Sequence, residues 1–212
     1  MQSLETSVIE NIKIVNAKYF HEKSGSSIEL NYKIYGNGIL KIKQTLYPSG
    51  AENPELPRFG MKVSVNETFD NLEWLGRGPH ESYWDRKTSA KIDRYKGKVI
   101  DQTYKYVRPQ ETGNKTDIRW IALYGGSIGL MVKGLPVFDG SVHHYDYALL
   151  DYYKGSQLHG KTDITKGDQI DLIVDYKQMG VGGDNSWGRK PRKKYQIKAD
   201  NLSFSYSISP YN

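Results

Sequence analysis

Apolar residues recur at every second position in several short runs, the spacing that a strand with one buried face requires. In Ser27–Tyr35, Ile28, Leu30, Tyr32 and Ile34 alternate with Ser27, Glu29, Asn31 and Lys33. In Ile170–Tyr176, Ile170, Leu172, Val174 and Tyr176 share one face, with Asp171 and Asp175 opposite. Near the end of the chain Leu202, Phe204, Tyr206 and Ile208 alternate with Ser203, Ser205, Ser207 and Ser209. Weaker alternation predicts strands at Ile12–Tyr19, Ile39–Tyr47, Met61–Val65, Thr68–Leu75, Lys98–Tyr106, Ile118–Tyr124 and Ile128–Val132. Turn residues separate these runs: Tyr35-Gly36-Asn37-Gly38, Pro48-Ser49-Gly50, Gly125-Gly126 and Lys166-Gly167-Asp168. Asn-Gly and Gly-Asp pairs suit hairpins that need positive φ. Helical periodicity is weak, and only His80–Ser89 and Tyr145–Tyr153 leave room for a short helix. Short strands between Gly- and Pro-rich turns predict an all-β antiparallel sandwich. No linker or sustained repeat divides the chain, so residues 1–212 read as one domain.

Composition narrows the function classes. The 212 residues include 17 tyrosines, 5 phenylalanines and 4 tryptophans, and aromatics of this kind suit half-buried sheets and polar ligand surfaces. No run approaches the roughly 20 apolar residues of a helical membrane span, so no membrane partner is expected. Cysteine is absent, which excludes a disulfide scaffold, a thiolate metal site and a cysteine nucleophile while leaving the compartment open. The start, MQSLETSVIENIKIV, lacks the basic head and apolar run of a signal peptide. The formal charge is +6, but the basic residues are scattered apart from the cluster at Arg189, Lys190, Arg192, Lys193 and Lys194. Scattered lysines on strands favour solubility and protected sheet edges over a nucleic-acid partner. His143 and His144 are adjacent, so on a strand they face opposite sides and cannot share a metal. His21, His80 and His159 are isolated, and neither HExxH nor GxSxG occurs. No metal or cofactor is expected.

Three stretches do not read as ordinary strand or turn. Trp74-Leu75-Gly76-Arg77-Gly78-Pro79-His80-Glu81-Ser82-Tyr83-Trp84-Asp85-Arg86-Lys87 combines tight-turn residues with opposite charges. It could line a polar ligand site with Trp74 and Trp84, or be a long connection held by its own ion pairs. Tyr106–Trp120 (YVRPQETGNKTDIRW) offers Arg108, Glu111, Asn114, Asp117 and Arg119 to a polyhydroxylated ligand, or uses them to brace a loop. Tyr176–Gly188 carries glycines at 180, 182 and 183 but completes neither GxGxxG nor a P-loop. Its Trp187, beside Gly188, could present an indole face to a sugar ring or fold back onto the sandwich.

In this order, WLGRGPHESYWDRK (Trp74–Lys87), YVRPQETGNKTDIRW (Tyr106–Trp120) and DYKQMGVGGDNSW (Asp175–Trp187) resemble the C-terminal β-sandwich domain of the glycoside hydrolase family 2 β-galactosidases, also called the small chain. The likeness runs from about Phe59 to the C-terminus. It implies a two-layer antiparallel supersandwich like that of galactose mutarotases, packed against a TIM barrel that is the chain's partner within the same enzyme. Retaining glycosidases need two carboxyl groups across the scissile bond. The resemblance puts both in the barrel, so no residue of this chain is expected to be catalytic and the isolated chain is expected to be inactive. It also implies that Trp187 stacks on the sugar in the leaving-group subsite of a galactoside, with Asp117, Arg119 and Trp120 near the pocket mouth. Members usually begin this domain with a longer part bearing a PNFWRAPTDND-like motif. Its absence reads as an incomplete copy whose open edge could pair in a homo-oligomer. The alternative is a free-standing carbohydrate-binding module or a mutarotase-like enzyme. The latter would need an acid and a base, typically a histidine with a carboxylate, and His143, His144 and His159 are the histidine candidates in the later half.

Overall fold

A computed structural model of the chain describes residues 1–50, 55–104, 106, 110–145, 166–182 and 188–211. Its strands are β1 (Ser3–Ile9), β2 (Ile12–His21), β3 (Ser26–Ile34), β4 (Leu40–Tyr47), β5 (Arg58–Asn66), β6 (Asn71–Gly78), β7 (Lys91–Lys98), β8 (Lys115–Gly125), β9 (Ile128–His143), β10 (Gln169–Gln178) and β11 (Leu202–Tyr211). They pair antiparallel in the order β1-β2-β3-β4-β11-β9-β8-β6-β7, and β10 and β5 branch from β9. The branch arises because β9 serves two layers. Its first half, Gly129–Leu135, pairs with β11, and its second half, Asp139–His143, pairs with β10. The β10–β5 ribbon is thereby carried over β4 and β11, where the Tyr206 hydroxyl of β11 meets the Met61 sulfur of β5 at 3.1 Å.

The alternation in the sequence explains the core between the layers. Ile42 and Leu46 of β4, Phe204 and Tyr206 of β11, and Ile170, Leu172 and Val174 of β10 join one buried cluster with Leu72, Ile121, Leu123, Val132 and Phe138. Complete burial of an aliphatic side chain of this size contributes about 1.5–3 kcal/mol. The opposite face of β10 is covered as well, so Asp171, Ile173 and Asp175 are also buried. That second covering brings carboxylates into the interior.

Two predicted elements differ. Lys98–Tyr106 is not a strand: β7 ends at Lys98 and a 3-10 turn spans Val99–Gln102. The fully buried Val99 anchors that turn and donates its amide to the Asp70 carbonyl at 3.0 Å. His80–Ser89 holds turns and an isolated bridge between Tyr83 and Arg86, with no helix. Of Tyr145–Tyr153, all but Tyr145 lies outside the described residues. Strands β1 and β7 add to the predicted set. Every residue of β1 is exposed, so no buried face imposes alternation on it. The Glu10-Asn11 pair, both at positive φ, closes the β1–β2 hairpin.

Candidate functional site

Arg58, at the start of β5, gathers the polar groups at one end of the second layer. Its guanidinium donates to Gln178 Oε1 at 2.8 Å and to Glu111 Oε2 at 3.3 Å, and its Nε lies 3.2 Å from Asp175 Oδ2. Asp175 sits where the β10–β5 register shifts, and it faces Asp139 directly across the β10–β9 pair. Burial pushes Asp175 up to about 7 and Glu111 up to about 7, in each case against the attraction of Arg58. Burial also pushes Asp139 up to about 6. The group can therefore hold protons near neutrality. Beside it a hollow of about 780 Å³ is lined by Arg58, Arg86, Gln110, Glu111, Gln178–Val181 and Gly188–Pro191. That volume falls within the range of small-molecule sites.

The first two motifs brace each other. Glu81 accepts from the Gly113 amide at 2.8 Å, from Arg86 at 3.0 Å, from Thr112 and Tyr83 at 3.3 Å, and closely from the Tyr106 hydroxyl. Trp74 is buried, and its indole N–H donates to the Arg77 carbonyl at 3.0 Å. The Lys115 ammonium lies 5.2 Å from the centre of the Trp74 ring and donates to the Gly113 carbonyl at 3.1 Å. Burial pushes that lysine down to about 8. For Trp74, Arg77 and Glu81, bracing is thus the role that the contacts display.

Asp117, at φ 55° in a bulge of β8, is held by Arg77 at 2.6 Å and by Lys87 at 2.9 Å. Burial raises its carboxyl, but these two cations more than offset it and hold the group below the ordinary range. It borders a second hollow, of about 330 Å³, with Trp84, Tyr176 and Asp139. Arg119 donates to the Asp117 carbonyl at 2.6 Å. Trp120 pairs across strands with Leu75 and Lys133 beneath the Arg94 guanidinium, 5.8 Å from its ring centre. The structure therefore brings Asp117 and Arg119 together, while none of the three lines the larger hollow. Trp187, Arg108 and His159 lie outside the described residues.

Arg58 and Asp139 lie in none of the three motifs, and Asp175 and Gln178 open the third motif without their part in this polar group being legible. The one available signal is Asp175 on an alternating strand that turns out to be covered on both faces. His143 is fully buried, and burial, with Lys115 and Arg58 adding to it, pushes it down to about 3. His144 is 3% exposed, and its Nε2 lies 2.8 Å from Asp70 Oδ1.

Comparison with known proteins places this geometry. The family model described as β-galactosidase small chain matches residues 1–208. A β-galactosidase of Priestia megaterium is 40% identical over 199 residues, which cover 93% of this chain and 19% of that protein. A β-galactosidase of Halalkalibacterium halodurans is 29% identical over 205 residues, 94% of this chain and 20% of that protein. The chain thus spans about a fifth of the length of the curated relatives it matches. In fold it is similar to a putative aldose 1-epimerase of Escherichia coli K12, with a TM-score of 0.51 at 8% identity, covering 98% of this chain and 68% of that one. A galactose 1-epimerase of Lactobacillus acidophilus gives 0.50 at 8% identity over 98% of this chain and 65% of that one. The sandwich is therefore of the galactose-mutarotase type, and the chain belongs to the β-galactosidase small-chain family.

Proposed function

We propose that this chain is the C-terminal accessory domain of a β-galactosidase that hydrolyses terminal β-D-galactosides. In this reading it lines the leaving-group sugar subsite and braces the enzyme, and the catalytic carboxylates belong to a separate TIM barrel. One observation carries the reading: Met179–Val181 and Gly188–Pro191, which flank Trp187 in sequence on both sides, line the same 780 Å³ hollow. An indole supplied from that stretch has a flat apolar face suited to a sugar ring, and the polar groups of Arg58, Glu111 and Gln178 line the hollow. Asp117, Arg119 and Trp120 take a supporting place behind the pocket mouth.

Of the alternatives, a free-standing binding module and a mutarotase-like enzyme, the second fits less well. Interconverting anomers requires an acid and a base that reach the sugar. His143 and His144 are 0% and 3% exposed, and both are enclosed by the sandwich.

The test is Trp187→Ala in the polypeptide that carries this chain. The half-saturating glucose concentration for transfer of galactose to glucose should rise about fivefold, which is what roughly 1 kcal/mol of lost aromatic contact amounts to. Unchanged acceptor affinity would contradict the role.

A further inference from the structure

Four consecutive backbone amides lead toward Trp187, and each has a partner. Met179 N–H donates to the Pro57 carbonyl at 2.9 Å, and Gly180 N–H to the Tyr195 carbonyl at 2.9 Å. The next two go to one side chain: Val181 N–H to Asp85 Oδ1 at 3.2 Å and Gly182 N–H to Asp85 Oδ2 at 2.7 Å. Asp85 belongs to the Trp74–Lys87 motif, far away in sequence. A carboxylate accepting two backbone N–H bonds is among the stronger anchors available to a loop.

The fit is close from both sides. A Cβ on Gly180 would stand 2.7 Å from the Asp85 carboxyl carbon and 3.0 Å from Tyr195 Cβ, and one on Gly182 would stand 3.0 Å from Asp85 Oδ2. A side chain at either glycine would press on the Asp85 carboxylate, more severely at 180 than at 182. The preceding residue reinforces the contact. Trp84 packs edge-on against Tyr195 at 5.9 Å, and the Lys177 ammonium lies 3.8 Å from the Trp84 ring centre. Tyr195 is the residue whose carbonyl receives the Gly180 amide. Trp84-Asp85 thus latches the stretch on the N-terminal side of Trp187 to the body of the sandwich.

We infer that Asp85 is a positioning residue for the leaving-group side of the site, setting where the chain enters the segment that carries Trp187. This rests on the role proposed above for Trp187. The two glycines, which form no nucleotide motif, then have a structural reason: they admit the carboxylate to the backbone.

The experiment uses Asp85→Asn, Trp187→Ala and the double variant in the full polypeptide, with glucose as acceptor. Asparagine offers a single acceptor oxygen and turns an N–H toward the second amide, so one bond is lost and a repulsion gained. Asp85→Asn should raise the half-saturating glucose concentration about fivefold, as Trp187→Ala does, and the double variant should raise it no further. Hydrogen exchange at the Val181 and Gly182 amides should accelerate in Asp85→Asn while β10 stays protected. A structural role alone would not produce that non-additivity. Should Asp85→Asn fail to fold, Gly182→Ala perturbs the same contact from the opposite side and should give the same pattern. If Trp187→Ala weakens the acceptor but Asp85→Asn does not, or if the two multiply to about 25-fold, the positioning role is overturned while the reading of Trp187 stands. If Trp187→Ala leaves acceptor affinity unchanged, that reading fails and the positioning role fails with it.

Discussion

Three acids around Arg58 make the protein's stability depend on pH in a definite direction. Glu111 and Asp175 are pushed up to about 7 and Asp139 up to about 6, from ordinary values of 4.5, 3.8 and 3.8. Between about pH 4 and pH 7 the folded chain therefore binds more protons than the unfolded chain. Their contribution is fully present below about pH 4 and is lost as pH rises through 7. His143 acts in the opposite sense between about pH 3 and 6.5, because burial keeps it neutral in the fold, but it is one group against three. The thermal midpoint should accordingly fall between about pH 5 and pH 7.5, and Asp175→Asn should make the fall smaller. Identical falls in the two proteins would show that Asp175 does not keep its proton. Arg58→Met should cost about 3 kcal/mol at neutral pH, because it strips the cation from buried carboxylates; a loss below about 1 kcal/mol in urea unfolding would contradict that.

At the scale of elements, legibility followed burial. The runs Ser27–Tyr35, Ile170–Tyr176 and Leu202–Ser209 alternate because each presents a face to the common core, and they correspond to β3, β10 and β11. Strand β7 could not be read this way: Ile92 and Tyr95 fall on opposite faces of a mostly exposed end strand. In the bend after it, Val99 and Ile100 are adjacent apolar residues of a 3-10 turn, a pair that apolar content alone does not tell from a strand. The branch at β9 was invisible for a different reason. The sequence suggested a strand over Ile128–Val132, while the structure continues it to His143 through a change of partners. Such a change leaves no periodic mark. Two substitutions probe elements directly. At Gly60 in β5 a Cβ would meet Asp175 Oδ1 at 2.2 Å and the Val174 carbonyl at 2.3 Å. Gly60→Ala should therefore cost about 3 kcal/mol in urea unfolding by forcing β5 away from β10, and a loss under about 0.5 kcal/mol would contradict this packing. Asn11, at φ 65°, lies in a two-residue hairpin turn where glycine is favoured. Asn11→Gly should be neutral or stabilise by up to about 1 kcal/mol, and clear destabilisation would show that the β1–β2 turn is drawn wrongly.

For the whole molecule, the family was legible because three long motifs occur in order, and the mutarotase-type sandwich follows from the same residues. The site was only partly legible. Two of the motifs brace each other, as the Glu81 and Asp117 contacts show. The polar wall of the larger hollow instead draws on Arg58, which lies in no motif, and on Gln178, which lies in the third motif without a charge to mark it. Sequence spacing says which residues are near neighbours along the chain, whereas this wall is assembled by the β10–β5 pairing across more than a hundred residues. The most direct test of the central claim is the mass of the native polypeptide, measured by immunoblot of a source extract with an antibody raised against this chain. A β-galactosidase carrying it as a terminal domain should give a band about five times the 24.2 kDa of the chain, in line with its 19% share of the Priestia megaterium relative. A band at 24.2 kDa would contradict the accessory-domain account.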